Sequence, residues 1–232
     1  KAADTHLPSL KVFICGGASV PPSLIRDASD WFDHAIISRV YGSTEVPVTT
    51  VGAMTARGLP QAADSDGRPG IANVRLGMGG EILAKGPQMM VGYANPDEEA
   101  NAFDADGYYR TGDQGAFDDE GYLSVTGRIK DLIIRNGENI APKEIEDLLT
   151  GHPAIAEIAI VGLPDQKTGE RACAVIVPAA GAAPSVADLA EYLAGFGVAK
   201  FKYPERVDLR DSLPKNDAGK VLKHVLRAEL SQ

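Results

Sequence analysis

The sequence predicts a mixed α/β (α+β) fold made of two units. Helix and strand patterns alternate in residues 1–66 and again after residue 131, whereas short β-prone segments separated by glycine turns fill residues 67–127. Residues 1–127 hold 9 basic and 17 acidic side chains, but residues 128–232 hold 14 and 15. This change in charge also indicates a boundary near residue 128.

Residues 1–66 are predicted to form an α/β segment. An apolar run predicts a strand that ends in a glycine pair, and a proline pair then opens a helix with apolar residues at helical spacing. Two further strands are predicted on either side of a short polar segment. These elements are the strand at 10–15, Gly16-Gly17, the helix after Pro21-Pro22, the strands at 36–41 and 46–51, and the polar segment 42–45.

Residues 67–127 are predicted to form a small β-barrel or folded sheet. Their apolar segments are short, rich in β-prone residues and bounded by glycine-bearing turns. The predicted strands are 71–76, 81–84, 89–93 and 122–126.

Residues 132–232 are predicted to form a small α/β domain with about three strands and three helices. Pro142 opens the first helix, Ser185 and Asp188 form a capping box before the second, and an amphipathic pattern predicts the third. About 100 residues suffice for an independent core of this kind. The strands are predicted at 132–134, 155–161 and 172–177, and the last helix at 221–230.

Composition excludes several classes of protein. The net charge of −9 argues against general binding to nucleic acid or to anionic membranes. Cys15 and Cys173 have neither disulfide nor zinc-site spacing, which favours a reducing, cytoplasmic location. The longest apolar stretch, residues 172–184, is too short to span a bilayer, so no transmembrane segment is expected. Without a Gly-x-Ser-x-Gly elbow or a metal-type histidine spacing, hydrolase and zinc-enzyme functions have little support.

Five turn-like segments constrain function more strongly than composition does. Taken alone, each is an ordinary turn, but in this order they closely resemble the adenylate-forming superfamily of acyl-CoA synthetases, aryl-CoA ligases, luciferases and adenylation domains. The resemblance covers essentially the whole chain and is greatest to acyl-CoA synthetases and fatty-acid–CoA ligases. The segments are residues 41–45, 109–113, 127–131, 136–140 and 214–220.

The resemblance implies a fold, a reaction and a set of cofactors. Residues 1–127 would be the C-terminal portion of a large domain ending in a small β-barrel, residues 128–131 a hinge, and residues 132–232 a small mobile domain. ATP and Mg²⁺ would convert a carboxylic acid into an acyl-AMP, and coenzyme A would then take the acyl group. The phosphate loop of such enzymes lies upstream of the segments found here, so the 232-residue piece alone is expected to be inactive.

The resemblance also assigns the nucleotide-binding residues. Small residues would line the adenine pocket, where the base lies against backbone, and a tyrosine would stack on the base. An aspartate would accept both ribose hydroxyls, and an arginine would lie near the ribose and phosphates. Taken singly, these residues are as well explained by turns or a solvated surface. They are Gly16, Gly17, Ala18, Tyr41, Gly42, Asp113 and Arg128.

Thr44 and Glu45 are predicted to act on the phosphates. The Glu45 carboxylate is a hard ligand suited to Mg²⁺, and the Thr44 hydroxyl is suited to the α-phosphate. The alternative is a strand-ending turn with a solvated glutamate. Val46 and Pro47 are expected in the acyl pocket, and their apolar character favours a fatty or alicyclic acid over an amino acid.

Three residues of the small domain have roles in the two steps of the reaction. Lys220 is predicted to open a helix, where its charge opposes the macrodipole at a cost of roughly 0.3–1 kcal/mol, and a broken local rule suggests a functional role. In the family this lysine holds the carboxylate and α-phosphate during adenylation. Lys130 matches the hinge, and Gly137 the loop that lines the pantetheine tunnel. The alternatives are a solvated lysine on a terminal helix and, for Lys130, an ordinary surface turn.

Two other functions compete with an acid–CoA ligase. One is an adenylation domain or stand-alone adenylase that loads a carrier protein, although only twelve residues follow Lys220 and they hold no carrier motif. The other is a non-catalytic nucleotide-binding or interaction module. The partners expected for the ligase are the carboxylic acid, ATP and coenzyme A, with a homodimer as a further possibility.

Overall fold

The computed structural model describes residues 7–18, 20–179, 181, 183–217 and 219–231, so Ala218 of the last motif lies outside the described residues. The chain divides into two compact units between Thr126 and Gly127. Each unit combines sheets and helices, which confirms the predicted mixed α/β class. The predicted hinge follows directly after this division.

The first unit begins with a sheet that carries parallel strands. Among its described residues, the sheet has the order β1 (Val12–Cys15), β2 (Ile36–Tyr41), β3 (Thr50–Val51) and β4 (Arg68–Pro69). The first two strands are parallel, and their register places Cys15 opposite Arg39. Because parallel strands end at the same edge, the segments after β1 and β2 emerge side by side.

Two helices cover this sheet with apolar side chains. Helix α1 spans Pro22–Trp31, with Pro22 at its first turn as the sequence predicts, and α2 spans Leu59–Asp64. The core contains Ile25, Ile37, Ala62 and Ala63.

A second, curled sheet completes the first unit. In the described chain its order is β5 (Asn73–Leu76), β6 (Glu81–Lys85), β7 (Tyr109–Phe117) and β8 (Leu123–Arg128), and the short helix α3 (Pro96–Glu99) precedes β7. The core under this sheet contains Val46, Ala72, Ala84, Ala102 and Tyr109.

Two strand predictions in the first unit are wrong. Of the predicted strand 46–51, only Thr50 and Val51 pair, because the Val46 carbonyl accepts the Ser43 amide at 3.2 Å and the Thr49 hydroxyl at 2.7 Å. These bonds fold the segment back on itself, and Val48 adopts a left-handed φ of 52°. The predicted strand 89–93 is irregular and begins with a turn in which the Met89 amide donates to Gly86.

The second unit is a sheet covered by helices on both faces. In its described residues the sheet contains β9 (Ile133–Arg135), β10 (Glu138–Ile140), β11 (Ile155–Asp165), β12 (Gly169–Pro178) and β13 (Arg206–Leu209). Helices α4 (Pro142–Leu149) and α5 (Val186–Gly195) pack against one face, and α6 (Lys223–Leu230) packs against the other. Successive residues of β11, such as Ile160 and Val161, therefore enter opposite cores.

The second unit differs from the sequence prediction in its number of strands and in the start of its last helix, and it confirms the predicted capping box. Its described strands number five rather than about three, because the β10 and β13 segments are too short to stand out in the sequence. The capping box before α5 is confirmed, since Ser185 and Asp188 each accept the other's backbone N–H. The last helix begins at Lys223, so Lys220 lies before it and the argument from the macrodipole is wrong.

Turns of 3-10 helix occupy Ala56–Gly58, Met78–Gly80, Ile129–Asp131 and Lys200–Lys202. Within the described ranges, every helix is too short or too polar to cross a membrane.

Candidate active site

The backbone of the turn after β1 packs directly against β2 at Gly16. A Cβ atom on Gly16 would lie 2.5 Å from Val40 Cγ1 and 2.7 Å from the Val40 carbonyl oxygen, so only glycine fits. Gly17 has a φ of +83°, which glycine adopts without strain, and the exposed Ala18 follows. In open α/β sheets, ligands bind outside the carboxyl ends of parallel strands. The predicted adenine-binding turn occupies that edge.

A buried arginine joins the segment that follows this turn to α2. Arg39 of β2 is only 5% exposed and donates to the carbonyl of Val20 at 2.9 Å and to that of Ala62 at 3.2 Å. It also donates to the Ala63 carbonyl, and Asp66 lies 3.6 Å away. A buried guanidinium is stable only when its donors and charge are satisfied, as they are here.

Tyr41 and Asp113 meet across the first unit. The Tyr41 hydroxyl donates to Asp113 Oδ2 at 2.9 Å, and Asp113 is 7% exposed. The contact joins the end of β2 to the middle of β7. Two residues predicted from separate motifs, 72 positions apart, are therefore neighbours.

The Thr-Gly-Asp motif is a β-bulge rather than the turn expected from the sequence. Residues 111–113 of β7 lie opposite the single residue Ile82 of β6, and Gly112 has a φ of 68°. The Thr111 hydroxyl donates to the Ile82 carbonyl at 2.7 Å and accepts the Asp113 amide at 3.1 Å. Bulges of this kind redirect a side chain next to a functional site, and this one carries Asp113.

The loop after β2 carries the predicted phosphate-contacting residues. A Cβ on Gly42 would lie 2.7 Å from the Val48 amide nitrogen, so the close fold of this loop requires glycine. Thr44 is exposed and Glu45 is half-buried. Val46 is fully buried in the core under the curled sheet, whereas Pro47 is exposed.

Two tyrosines to which sequence reasoning assigned no role form a hydrogen-bonded pair beside Glu45. The Tyr93 hydroxyl donates to Glu45 Oε1 at 2.8 Å and lies 3.2 Å from the Tyr109 hydroxyl. Partial burial, followed by the bonds to Tyr109 and Glu45, raises the pKa of Tyr93, so it remains a neutral donor at physiological pH. No local spacing links Tyr93 to a glutamate 48 positions earlier, and its segment had been predicted as a strand.

The donor set around Glu45 fits Mg²⁺ held jointly with phosphate. Among the described residues, no group of three histidine, cysteine, aspartate or glutamate side chains could hold a metal alone. Mg²⁺ in nucleotide sites is typically bound by one or two carboxylates together with substrate phosphates and water. A single carboxylate in this loop is consistent with that arrangement.

The predicted hinge lies at the start of the second unit. Arg128 ends β8 and is half-buried, whereas Lys130 is exposed in the 3-10 turn Ile129–Asp131. The Asp131 carboxylate accepts the Arg227 guanidinium of α6 at 3.1 Å. This bond ties the residue after Lys130 to the second unit.

Gly137 lies in the tight turn between β9 and β10. Arg135 pairs with Glu138, which leaves Asn136 and Gly137 as a two-residue loop with φ angles of 52° and 83°. Positive φ at both positions is typical of a type I′ hairpin turn. A Cβ on Gly137 would meet no atom within 4 Å, so the tip of the hairpin is open.

Lys220 lies in a loop that folds back on itself before α6. Lys215 and Val221 form an antiparallel bridge, and the Leu222 amide donates to the Pro214 carbonyl at 2.8 Å. Asn216 Oδ1 accepts the Lys220 amide at 2.9 Å, and the Asn216 amide donates to the Lys220 carbonyl at 3.0 Å. The backbone of Lys220 is thus fixed while its side chain is exposed.

The structure therefore brings together Tyr41, Asp113 and the loop with Glu45, all in the first unit. Lys130, Gly137 and Lys220 belong to the second unit.

Two related proteins indicate where the chain belongs. It is 38% identical over 226 residues to a methyl-dioxo-octahydroindenyl propanoyl:CoA ligase of Rhodococcus jostii (strain RHA1), covering 96% of this chain and 43% of the relative. It is 33% identical over 239 residues to the medium-chain fatty-acid–CoA ligase of Escherichia coli (strain K12), covering 97% and 41%. The chain spans less than half the length of these relatives.

A solved structure and two family models agree with these relatives. ATP-bound MatB from Rhodopseudomonas palustris has a TM-score of 0.84 at 34% identity, covering 95% of this chain and 46% of that one. The AMP-binding enzyme model matches residues 1–94, and the model of the AMP-binding enzyme C-terminal domain matches residues 144–220. The two models together match well over half of the chain, which therefore belongs to the family of AMP-binding, adenylate-forming enzymes.

Proposed function

We propose that the whole protein is an ATP-dependent acid–CoA ligase. It joins a carboxylate to AMP with release of pyrophosphate and then transfers the acyl group to the thiol of coenzyme A. The observation that carries this proposal is the Tyr41–Asp113 contact, because Tyr41 ends β2 at the sheet edge where the Gly16 turn and the Glu45 loop also emerge. Family membership and the names of the relatives support it.

In this scheme the first unit holds the nucleotide. Adenine lies against the backbone of Gly16, Gly17 and Ala18 and stacks on Tyr41. Asp113, steadied by the Tyr41 hydroxyl, accepts the ribose hydroxyls. A pocket lined by backbone binds the base without a change of shape, which limits the entropic cost of binding.

The phosphates meet the Thr44 hydroxyl and the Arg128 guanidinium in the same scheme. Mg²⁺, when bound, neutralises phosphate charge, and Glu45 is the residue of this chain that would hold it. Fixed cationic and polar donors of this kind stabilise charge that develops as the phosphorus becomes five-coordinate.

The second unit supplies groups for the two steps in turn. Lys220 holds the carboxylate and the α-phosphate during adenylation, and rotation about Lys130 then replaces it with the Gly137 hairpin during thioester formation. The fixed backbone around Lys220 and the open tip at Gly137 support these roles. A hinge requires only a few residues that absorb a backbone change, which fits the exposed turn at Lys130.

The acid is proposed to be fatty or alicyclic. The Rhodococcus relative is named for a fused-ring propanoyl substrate and the Escherichia coli relative for medium-chain fatty acids. Val46 and Pro47 remain predicted contributors to the acyl pocket, although Val46 also packs in the core of the first unit. A cytoplasmic location and a homodimer also remain predictions.

A pyrophosphate-release assay on the full-length protein tests the proposal. Fatty acids of graded chain length and alicyclic acids are supplied with ATP and Mg²⁺, and then coenzyme A or a phosphopantetheinylated carrier protein is added as acceptor. We expect acid-dependent pyrophosphate release and an acyl-CoA product. Acyl transfer to the carrier alone would contradict the choice of acceptor, and no acid-dependent release would contradict the reaction.

A further inference from the structure

Glu45 is held by the loop at residues 89–93 through both its backbone and its side chain. The Met90 amide donates to the Glu45 carbonyl at 2.8 Å, and the Tyr93 hydroxyl donates to Glu45 Oε1 at 2.8 Å. The loop at residues 89–93 therefore fixes both the backbone and the carboxylate of Glu45.

The direction of the hydrogen bonds in the tyrosine pair follows from the number of protons. A phenol has one O–H, and that of Tyr93 is donated to Glu45. The two hydroxyls lie 3.2 Å apart, and Tyr109 must therefore be the donor in the hydrogen bond between them, with the Tyr93 oxygen as acceptor. A chain of two hydrogen bonds runs from Tyr109 through Tyr93 to the Glu45 carboxylate, and each bond polarises the next.

Both tyrosines are themselves fixed in place. Glu99 accepts the Tyr93 amide at 2.7 Å, and the Tyr109 ring lies edge-on to Phe103 at 5.9 Å between ring centroids. Tyr109 is 9% exposed and belongs to β7, the strand that also carries Asp113. Tyr93 is thus held by a backbone hydrogen bond, and Tyr109 by ring packing.

We propose that Tyr93 is a positioning residue that orients the Glu45 carboxylate for Mg²⁺, with Tyr109 supporting Tyr93. The inference rests on the proposed function, because that function makes Glu45 the metal ligand. Carboxylates that bind metals are usually hydrogen-bonded by partners outside the coordination sphere, and loss of such a partner typically lowers metal affinity about 10- to 100-fold.

Mn²⁺ binding to the full-length protein tests this role without turnover. Mn²⁺ replaces Mg²⁺ in the presence of an α,β-methylene ATP analogue, and its dissociation constant is measured by electron paramagnetic resonance. Tyr93→Phe removes the hydroxyl and keeps the ring, so we expect the Mn²⁺ dissociation constant to rise about 10-fold. Binding of the analogue in EDTA should not change, because no metal is then involved.

Tyr122→Phe is the matched control. The Arg68 guanidinium lies 4.2 Å from the centroid of the Tyr122 ring, a contact that phenylalanine retains. We expect this variant to bind Mn²⁺ like the wild type. Tyr109→Phe should have an intermediate effect, because its hydroxyl reaches Glu45 only through Tyr93.

Glu45→Gln separates failure of this inference from failure of the proposed function. If Glu45→Gln weakens Mn²⁺ binding and Tyr93→Phe does not, Tyr93 has a structural role only and the inference is wrong. If Glu45→Gln has no effect, the metal assignment is wrong and the inference fails with it. Should Tyr93→Phe fail to fold by circular dichroism, unchanged Mn²⁺ binding by Tyr109→Phe would overturn the inference.

Discussion

At the scale of single residues, two tyrosine hydroxyls fix the two carboxylates of the candidate site. Tyr41 donates to Asp113 and Tyr93 donates to Glu45. The family resemblance predicts roles for Tyr41 and both carboxylates, but not the tyrosine–carboxylate pairs, because the partners lie 72 and 48 positions apart along the chain. Contacts of this range depend on strand register and loop path, which a single sequence does not specify.

Asn216 is predicted to contribute to adenylation through the backbone of Lys220. Asn216→Ala removes the side-chain oxygen that accepts the Lys220 amide, and one such bond is worth about 1 kcal/mol. We expect acid-dependent ATP–pyrophosphate exchange in the full-length protein to fall about 5-fold. Asp217→Ala alters an exposed neighbour in the same loop and should change the rate little. Equal losses in both variants would contradict this role.

Cys173 is predicted to resist thiol reagents in the folded protein. It is fully buried, and burial raises its pKa from 9.0 to about 11. Well below pH 9 the thiol is neutral in both folded and unfolded states, and the stability linked to its raised pKa is lost as pH rises from 9 towards 11.

Maleimide labelling at pH 8, mapped by mass spectrometry, measures this resistance. We expect the peptide with half-buried Cys15 to be modified first and the peptide with Cys173 only after denaturation. Rapid labelling of Cys173 in the folded protein would show that β12 opens readily.

At the scale of elements, local signals predicted helix starts better than strands. Pro22 and Pro142 each lie in the first turn of a helix, and the capping box at Ser185 forms, because these signals act within a few residues. Strand β7 was missed, since the glycine of its bulge suggested a turn. The sequence predicts a helix start at Lys220, whereas the chain there forms a hairpin that depends on the bridge between Lys215 and Val221.

The Gly137 hairpin can be tested against a glycine with the same backbone strain. Gly137 and Gly121 have φ angles of +83° and +80°, and an added Cβ would meet no atom within 4 Å at either site. Alanine at each position should cost about 1 kcal/mol of unfolding free energy for the left-handed conformation. We expect Gly137→Ala alone to slow thioester formation from supplied acyl-adenylate, whereas Gly121→Ala should not.

Denaturant unfolding and the thioester assay give the two readouts for this pair. Similar slowing by both variants would indicate a general effect of strain rather than a role for the hairpin tip.

At the scale of the whole molecule, the sequence predicted the class of the fold and the order of its units. The change in charge near residue 128 lies close to the division between Thr126 and Gly127. The sequence predicts about three strands in the second unit and misses two of the five observed, because β10 and β13 span only three and four residues. Short strands gain their stability from neighbours in the sheet, so their own sequence marks them poorly.

The assignment of separate steps to Lys220 and Gly137 is the central claim. Both residues belong to the second unit, and their proposed tasks require that this unit present different groups at different times. Loss of an electrostatic donor that acts in one step typically slows that step 100- to 1,000-fold, which corresponds to an increase of about 2.7–4 kcal/mol in its activation free energy. Lys215→Ala is the matched control, because Lys215 is an exposed cation in the same loop and pairs with Glu157 at 2.7 Å.

The most direct test measures both half-reactions of full-length Lys220→Ala. Our account predicts that acyl-adenylate formation falls at least about 100-fold, whereas acyl-CoA formation from supplied acyl-adenylate and coenzyme A stays near the wild-type rate. Lys215→Ala should leave both half-reactions close to wild type. An equal loss of both half-reactions in Lys220→Ala would contradict the account.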